Sequence, residues 1–232
     1  MLLFYIRHGE PIYEPDSLTE LGQKQAQALA KRLAVYGIDK IYASSSRRAI
    51  MTAQPTCDLL QKEMTILDAF HEGHAWNDFT IGDGQERTWL YQSEKTKLLF
   101  TDPSIRNNPE LWYEHPALKA EYDYRRSVER VYDKVDSLLR AHGYEHIRGT
   151  GRYQAVRPND ERVALFAHEG IGTAFLSCLF DIPYPLFAAH FFLAHSGMTV
   201  IEFQSRDGYS IPKMLTLSSD SHLYREDLPI RF

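Results

Sequence analysis

Near the amino terminus, Arg7, His8, Gly9 and Glu10 bring a guanidinium, an imidazole, a position without a side chain and a carboxylate together, directly after the apolar run Leu2 to Ile6. A second stretch, SSSRRAIMTA, places Arg47 and Arg48 where a helix would begin, and a third, LFAHEG, ends another apolar run on His168. A guanidinium matches phosphate oxygens bidentately, a helix N-terminus favours anions, and a neutral imidazole nitrogen is a nucleophile. Two histidines and several arginines so placed would converge on one phosphate. Taken singly, each has a plainer explanation: a histidine at a strand end usually packs, and an arginine pair at a helix start is usually solvated. Their joint placement is what points to chemistry.

The elements that must carry these residues follow an α/β rhythm. Leu2 to Ile6 reads as a buried strand. Thr19 caps a helix with Leu21, Ala28, Leu29, Leu33 and Tyr36 near helical period, and Gly37 stops it. Lys40 to Ser44 is a short strand, Arg47 to Lys62 a helix that Pro55 should kink or displace at its start, and Met64 to Leu67 another strand. From about residue 76 to 160 the rhythm fails, apart from an amphipathic helix over Tyr124 to His142 with Val128, Val131, Val135 and Leu139 on its apolar face. It resumes with strand Arg162 to His168, helix Gly170 to Phe180, and strands Thr199 to Gln204 and Lys213 to Leu217. The pattern predicts a single α/β domain over residues 1–232. It has a three-layer α/β/α core around a mostly parallel sheet, with an inserted, largely helical cap at about 76–160 packed on it. In such sheets ligand sites collect at the carboxyl ends of the strands, where His8, Arg48 and His168 all fall.

Composition narrows the function. A length of 232 residues with 44% hydrophobic content suits one such core. The formal net charge of −5, without a long basic run, argues against nucleic acid as a partner. No apolar run approaches the roughly 18 residues that would span a bilayer, and the first residues lack a signal-peptide pattern, so a cytoplasmic protein without a membrane partner is expected. Cys57 and Cys178 read as reduced, buried thiols. His71-Glu72-Gly73-His74 has its histidines three apart around a glycine, unlike the zinc helix H-E-x-x-H, so no metal site is expected. Gly170-Ile171-Gly172 lacks the third small residue of a dinucleotide fingerprint, since Phe175 stands in its place.

The three motifs resemble the histidine phosphatase superfamily, which includes cofactor-dependent phosphoglycerate mutases and many phosphatases. Arg7-His8-Gly9-Glu10 after an N-terminal strand is similar to its signature. Arg48, Ala49, Thr52 and Ala53 are in register with the family's Ser-Pro-x-x-Arg-Ala-x-Gln-Thr-Ala, with Ser45 and Met51 replacing the proline and glutamine. Ala167 to Gly170 resembles the second histidine motif, and residues 76 to 160 are left unmatched. The resemblance implies a phosphoric monoester hydrolase acting on a small phosphorylated substrate through a phosphohistidine on His8, with no metal and no cofactor. Arg7 and Arg48 would clamp the phosphate, and His168 would be the remaining donor, cationic when phosphate is bound. The family supplies a glutamate shortly after the third strand as general acid. In LDAFHEGHAW this is Glu72 by spacing, with Asp68 as the alternative acid. Whichever serves must start protonated, which predicts a pH optimum near or below neutral.

Mutases continue RHGE with Ser, Trp-Asn and Phe-x-Gly-Trp, whereas this chain reads PIYEPDSLTELG. A phosphatase is therefore favoured over a mutase-type phosphotransferase, and a noncatalytic phosphate-binding protein with the same pocket is the remaining rival. Tyr13 is a possible substrate contact by position. Trp76, Phe79, Trp89, Phe100, Trp112 and Tyr124 either line an apolar leaving-group pocket or build the core of the cap. Arg106, Arg125, Arg126, Arg148, Arg152 and Arg157 either read a second anionic group or are solvated, and His222 either reaches the crevice or sits in a polar turn.

Overall fold

Six strands form the central sheet in the computed structural model, which describes residues 1–229. They are β1 (Leu2–Arg7), β2 (Lys40–Ala43), β3 (Met64–Ile66), β4 (Arg162–Ala167), β5 (Met198–Glu202) and β6 (Lys213–Ser219), in the spatial order β6-β5-β1-β4-β2-β3. The four from β1 to β3 in that order run parallel, and β5 and β6 add an antiparallel edge. Register positions the site: Arg7 lies opposite Ala167, and Phe166 opposite Ala43. Beyond the strand ends the pairing continues, with His8 N–H donating to the Ala167 carbonyl (3.0 Å) and Ser44 N–H to that of Phe166 (2.8 Å). His8, Ser44 and His168 therefore leave the sheet along one edge.

Alternation along the strands sorts the two faces. Phe4, Ile6, Ala164 and Phe166 pack under α1 (Glu20–Tyr36) and α2 (Arg47–Leu60), whose Leu29, Leu33, Ala53 and Cys57 complete that layer. Thr19 caps α1 by accepting from Gly22 N–H, and Gly37 ends it at φ 71°, as the sequence anticipates. Pro55 neither delays nor ends α2: the helix starts at Arg47 and runs through it. The missing N–H removes one bond, while Ala49, Thr52, Ala53, Thr56 and Cys57 stay buried on either side of the proline and hold the helix to its neighbours.

On the opposite face, Leu3, Tyr5, Val163 and Leu165 meet α5 (Glu169–Phe180) and the inserted region. That region contains α3 (Glu72–Asp78) and α4 (Tyr124–Ala141), and its Phe79, Phe100, Trp112 and Tyr124 join the same continuous core. The insertion is largely helical, as expected, and also carries short strands. Tyr144–Ile147 and Arg152–Ala155 form a hairpin that pairs with Tyr209–Ser210, which in turn pairs with Ser205–Arg206, giving a separate four-stranded sheet. The turn lies between Gly149 (φ 77°) and Gly151 (φ 63°). The buried His146 ring ties this hairpin down, with Nδ1 on Asp136 of α4 and Nε2 on Asp181 at the end of α5, each at 3.1 Å. Cys57 and Cys178 are both free and buried. Among the described residues no helix is long and apolar enough to cross a membrane.

Candidate active site

His8 follows β1 and is only 3% exposed. Its Nδ1 lies 2.7 Å from the Gly9 carbonyl oxygen, which can only accept, so Nδ1 carries the proton and Nε2 keeps its lone pair. Burial, with the Arg7 and Arg48 guanidinium groups and the His195 ring beside it, holds this imidazole well below the usual histidine range. It is a neutral imidazole at physiological pH, with an unprotonated Nε2. Gly9 then lets the loop pass close to α1, since a Cβ there would stand 2.6 Å from the Gly22 carbonyl oxygen.

Around His8 the structure brings Arg7, Arg48 and His168 together, as the sequence predicts. The His168 ring lies 5.1 Å from that of His8, and its Nε2 shares a hydrogen bond with Ser44 Oγ at 2.8 Å. Burial, reinforced by His8 and the arginines, keeps His168 well below its ordinary pKa, so a cationic form needs the charge of a bound anion to draw the proton in. Arg48 Nη1 binds Asp16 at 2.9 Å, and its guanidinium lies over the Tyr13 ring at 5.4 Å. Arg7 Nη1 donates to the Leu193 carbonyl (2.5 Å) and pairs with Glu169 (2.9 Å), while Nη2 meets His195 Nε2 (2.8 Å). Four nitrogens in this group are buried without a partner among the described residues: Arg7 Nε, Arg48 Nε, His168 Nδ1 and His195 Nδ1. Such donors fit an anion with several acceptor oxygens.

Two of these neighbours escaped the sequence reading. The His195 ring lies beside that of His8, with centroids 5.6 Å apart and planes tilted by 34°. It precedes β5, whose antiparallel direction makes its start, rather than its end, meet the carboxyl edge of β1. Glu169 follows His168 at the start of α5, where burial, with the Glu72 charge adding to it and Arg7 opposing, pushes its carboxyl up to about 7. His222 neither lines the cleft nor sits in a polar turn: it is buried in the short helix Ser221–Tyr224 and bonds the Oγ of Ser196, the residue after His195, at 3.0 Å.

The two candidate acids have separate environments. Glu72 Oε1 and Oε2 accept from the N–H groups of Gly170 (2.9 Å) and Ile171 (3.0 Å) at the start of α5. Burial raises its pKa against those two bonds. Asp68 is exposed and bonded to Ser45 Oγ (2.5 Å) and His74 Nε2 (3.1 Å), and the Ser45 and His74 bonds hold its carboxyl below the usual range. Glu72 opens onto a cleft of about 340 Å³ with Arg7, His8, Arg48 and Glu169, whereas Asp68 does not line it. The remaining walls are Tyr13, Trp76, Trp89, Tyr91 and Gln92. The aromatic residues of the insertion thus divide: Trp76 and Trp89 face the cleft, and Phe79, Phe100, Trp112 and Tyr124 are buried in the core. Arg148 is held by Glu129, Asp133 and Asp136, away from the cleft. Among the described residues, no group of three or more His, Cys, Asp or Glu is placed to hold a metal ion.

The family profile of the histidine phosphatase superfamily (branch 1) matches residues 3–212, and the chain belongs to that family. Among curated proteins no relative matches. Solved structures do. A mycobacterial glucosyl-3-phosphoglycerate phosphatase in complex with inorganic phosphate is similar at 18% identity and a TM-score of 0.62, over 95% of this chain and 98% of its own. A phosphoserine phosphatase from Entamoeba histolytica in complex with 3-phosphoglyceric acid matches at 20% identity and 0.59, over 96% and 98%. The alpha-ribazole phosphatase of Shigella flexneri matches at 19% identity and 0.59, over 95% and 97%. The likeness is one of fold.

Proposed function

We propose that this protein is a phosphomonoesterase that works through a phosphohistidine on His8 without needing a metal ion. The observation that carries the reading is the His8 tautomer: Nδ1–H is fixed on the Gly9 carbonyl, and the free Nε2 stands among Arg7, Arg48 and His168. In the first step Nε2 attacks phosphorus and the bond to the ester oxygen breaks. Glu72, protonated at the outset, gives its proton to that oxygen and the alcohol leaves. The positive charge that develops on the ring is shared with the Gly9 carbonyl through Nδ1–H. Arg7, Arg48 and His168 hold the three phosphoryl oxygens as negative charge spreads over them. In the second step water attacks phosphorus, its proton passes to the Glu72 carboxylate, and inorganic phosphate departs as Nε2 recovers its lone pair. The solved neighbours, phosphatases by name, support the same reading.

The test is hydrolysis of p-nitrophenyl phosphate in chelator, with an acid-labile phosphoenzyme trapped from a labelled monoester. Label and turnover are expected in the native protein and absent from His8→Ala. Undiminished label in that variant overturns the assignment, and turnover abolished by chelator overturns the claim of metal independence.

A further inference from the structure

The cleft wall beyond Glu72 is both aromatic and short of free cations. Trp76 meets Trp89 edge to face, with centroids 5.0 Å apart and planes at 85°, and Tyr91 stacks on the other side of Trp89 at 5.6 Å and 26°. Trp89 is seated on the first turn of α5, where Gly170 makes room for it. A Cβ on Gly170 would lie 2.5 Å from Trp89 Cη2 and 2.8 Å from Glu72 Oε1. The indole and the acid therefore share one support. An ester oxygen within reach of the Glu72 proton delivers the carbon group behind it to the two indoles.

Charge completes the argument. The cationic side chains lining the cleft are Arg7 and Arg48, each already paired with a carboxylate, Glu169 and Asp16. Glu72 and Glu169 line it too. Arg87 lies over Trp76 at 5.4 Å and donates to Thr80 Oγ1 and the Trp76 carbonyl, and it does not line the cleft. A second anionic group on the substrate would meet aromatic faces and two carboxyl groups, with no cation among the described residues of this wall that is not already paired. We infer that the ester this site takes carries a flat, uncharged group of one or two rings on its alcohol oxygen, and that phosphorylated carboxylic acids are excluded. This rests on the phosphatase reading above and names its substrate class. The volume of about 340 Å³ agrees, since it lies at the small end of ligand pockets and holds a phosphate with little more than such a group.

The experiment compares 2-naphthylmethyl phosphate, n-propyl phosphate and 3-phosphoglycerate, all alkyl esters, by release of inorganic phosphate. In the native protein kcat/KM for the naphthylmethyl ester is expected to exceed that for the propyl ester by about tenfold or more, with 3-phosphoglycerate below both. Trp76→Ala and Trp89→Leu should each bring the naphthylmethyl to propyl ratio down severalfold. A ratio of two substrates on one preparation is independent of the folded fraction. Gln92→Arg, at an exposed position on the same wall, should raise kcat/KM for 3-phosphoglycerate relative to the propyl ester. Preference for 3-phosphoglycerate over the naphthylmethyl ester, or a ratio unmoved by both tryptophan substitutions, overturns the inference while leaving the phosphatase intact. Failure of the native protein to hydrolyse any of the three overturns the phosphatase reading itself.

Discussion

Glu169→Gln removes a site carboxyl that its surroundings push up to about 7. His8 and His168 are held well below the histidine value of 6.5 and His195 is lowered to about 4 by burial and Arg7, so all three stay neutral above about pH 6. Glu169 moves from 4.5 to about 7 because of its burial, with Glu72 adding to the rise and Arg7 opposing it. Tyr91 and Tyr184, which also face it, are pushed far above the neutral range by their own burial. Ionised Glu169 holds Arg7 Nη1 at 2.9 Å, the guanidinium that the proposed mechanism gives to phosphate. Protonated Glu169 releases it. The sign follows: phosphate affinity is fully present below about 7 and is lost as pH rises through that value. Each pH unit above it adds at most about 1.4 kcal/mol, or tenfold, to the cost of restoring the proton. Between pH 7 and about pH 9 the limit is therefore roughly a hundredfold. The assay is the Ki of inorganic phosphate against p-nitrophenyl phosphate across that range, in the native protein and in Glu169→Gln. Taking the ratio of the two Ki values at each pH cancels the ionisation of phosphate itself. The native-to-variant ratio should be flat below about pH 6 and climb steadily above 7. A ratio independent of pH would refute the competition between Glu169 and phosphate for Arg7.

Glu72→Gln should lower kcat by about 10²–10⁴ for an alkyl phosphate and much less for p-nitrophenyl phosphate, whose leaving group needs no proton; equal losses on the two substrates would move the acid elsewhere. Gly170→Ala puts a methyl group 2.5 Å from the Trp89 ring and 2.8 Å from Glu72, and kcat/KM for alkyl esters is expected to fall about tenfold or more while the far-UV circular dichroism is retained; native kinetics in this variant would mean that Trp89 shifts freely. His146→Leu takes away the ring that bonds both Asp136 and Asp181 while Arg148 still holds Asp136 and Tyr132 still holds Asp181, and a loss of about 1–3 kcal/mol should appear as a lower urea midpoint, an unchanged midpoint contradicting the role given to the ring.

Legibility followed the range of the interactions. The helix over Glu20–Tyr36 was readable because its cap, its period and its glycine stop are all local. The strand ends bearing His8 and His168 were readable as ends, but their adjacency comes from the parallel pairing of Arg7 with Ala167, a contact far apart along the chain. The division of the aromatic residues was not readable at all. Trp76 and Phe79 are three residues apart, and only the packing of the insertion on α5 sends one to the cleft and the other to the core. The hairpin at Tyr144–Ile147 and Arg152–Ala155 was missed although Gly149-Thr150-Gly151 is a turn signal, because its strands are four residues each and pair with a distant hairpin to complete a sheet. His195 could have been found from strand direction, since a residue preceding an antiparallel strand lies at the carboxyl edge of its parallel neighbour.

The three carboxylates near the phosphate edge show why spacing along the chain left the acid undecided between Glu72 and Asp68. Spacing gives reach and says nothing of proton affinity, which is set by what surrounds each oxygen. Asp68 has solvent, a hydroxyl and an imidazole around it, all of which favour the anion, so it is ionised throughout the range in which an acid is needed. Glu169 has the burial that retains a proton, but its carboxylate is paired with the guanidinium of Arg7. Glu72 combines burial with a place beside the indole wall, on the side from which an alcohol would leave. Its two bonds from the α5 N-terminus cut both ways. They fix the carboxyl group and stabilise the anion, as a general base in the second step requires, while burial keeps the acid form accessible for the first. The proposed mechanism asks one residue to give a proton and then take it back, and opposed influences of this kind suit that task; of these three carboxyl groups, Glu72 is the one that has them and opens onto the cleft.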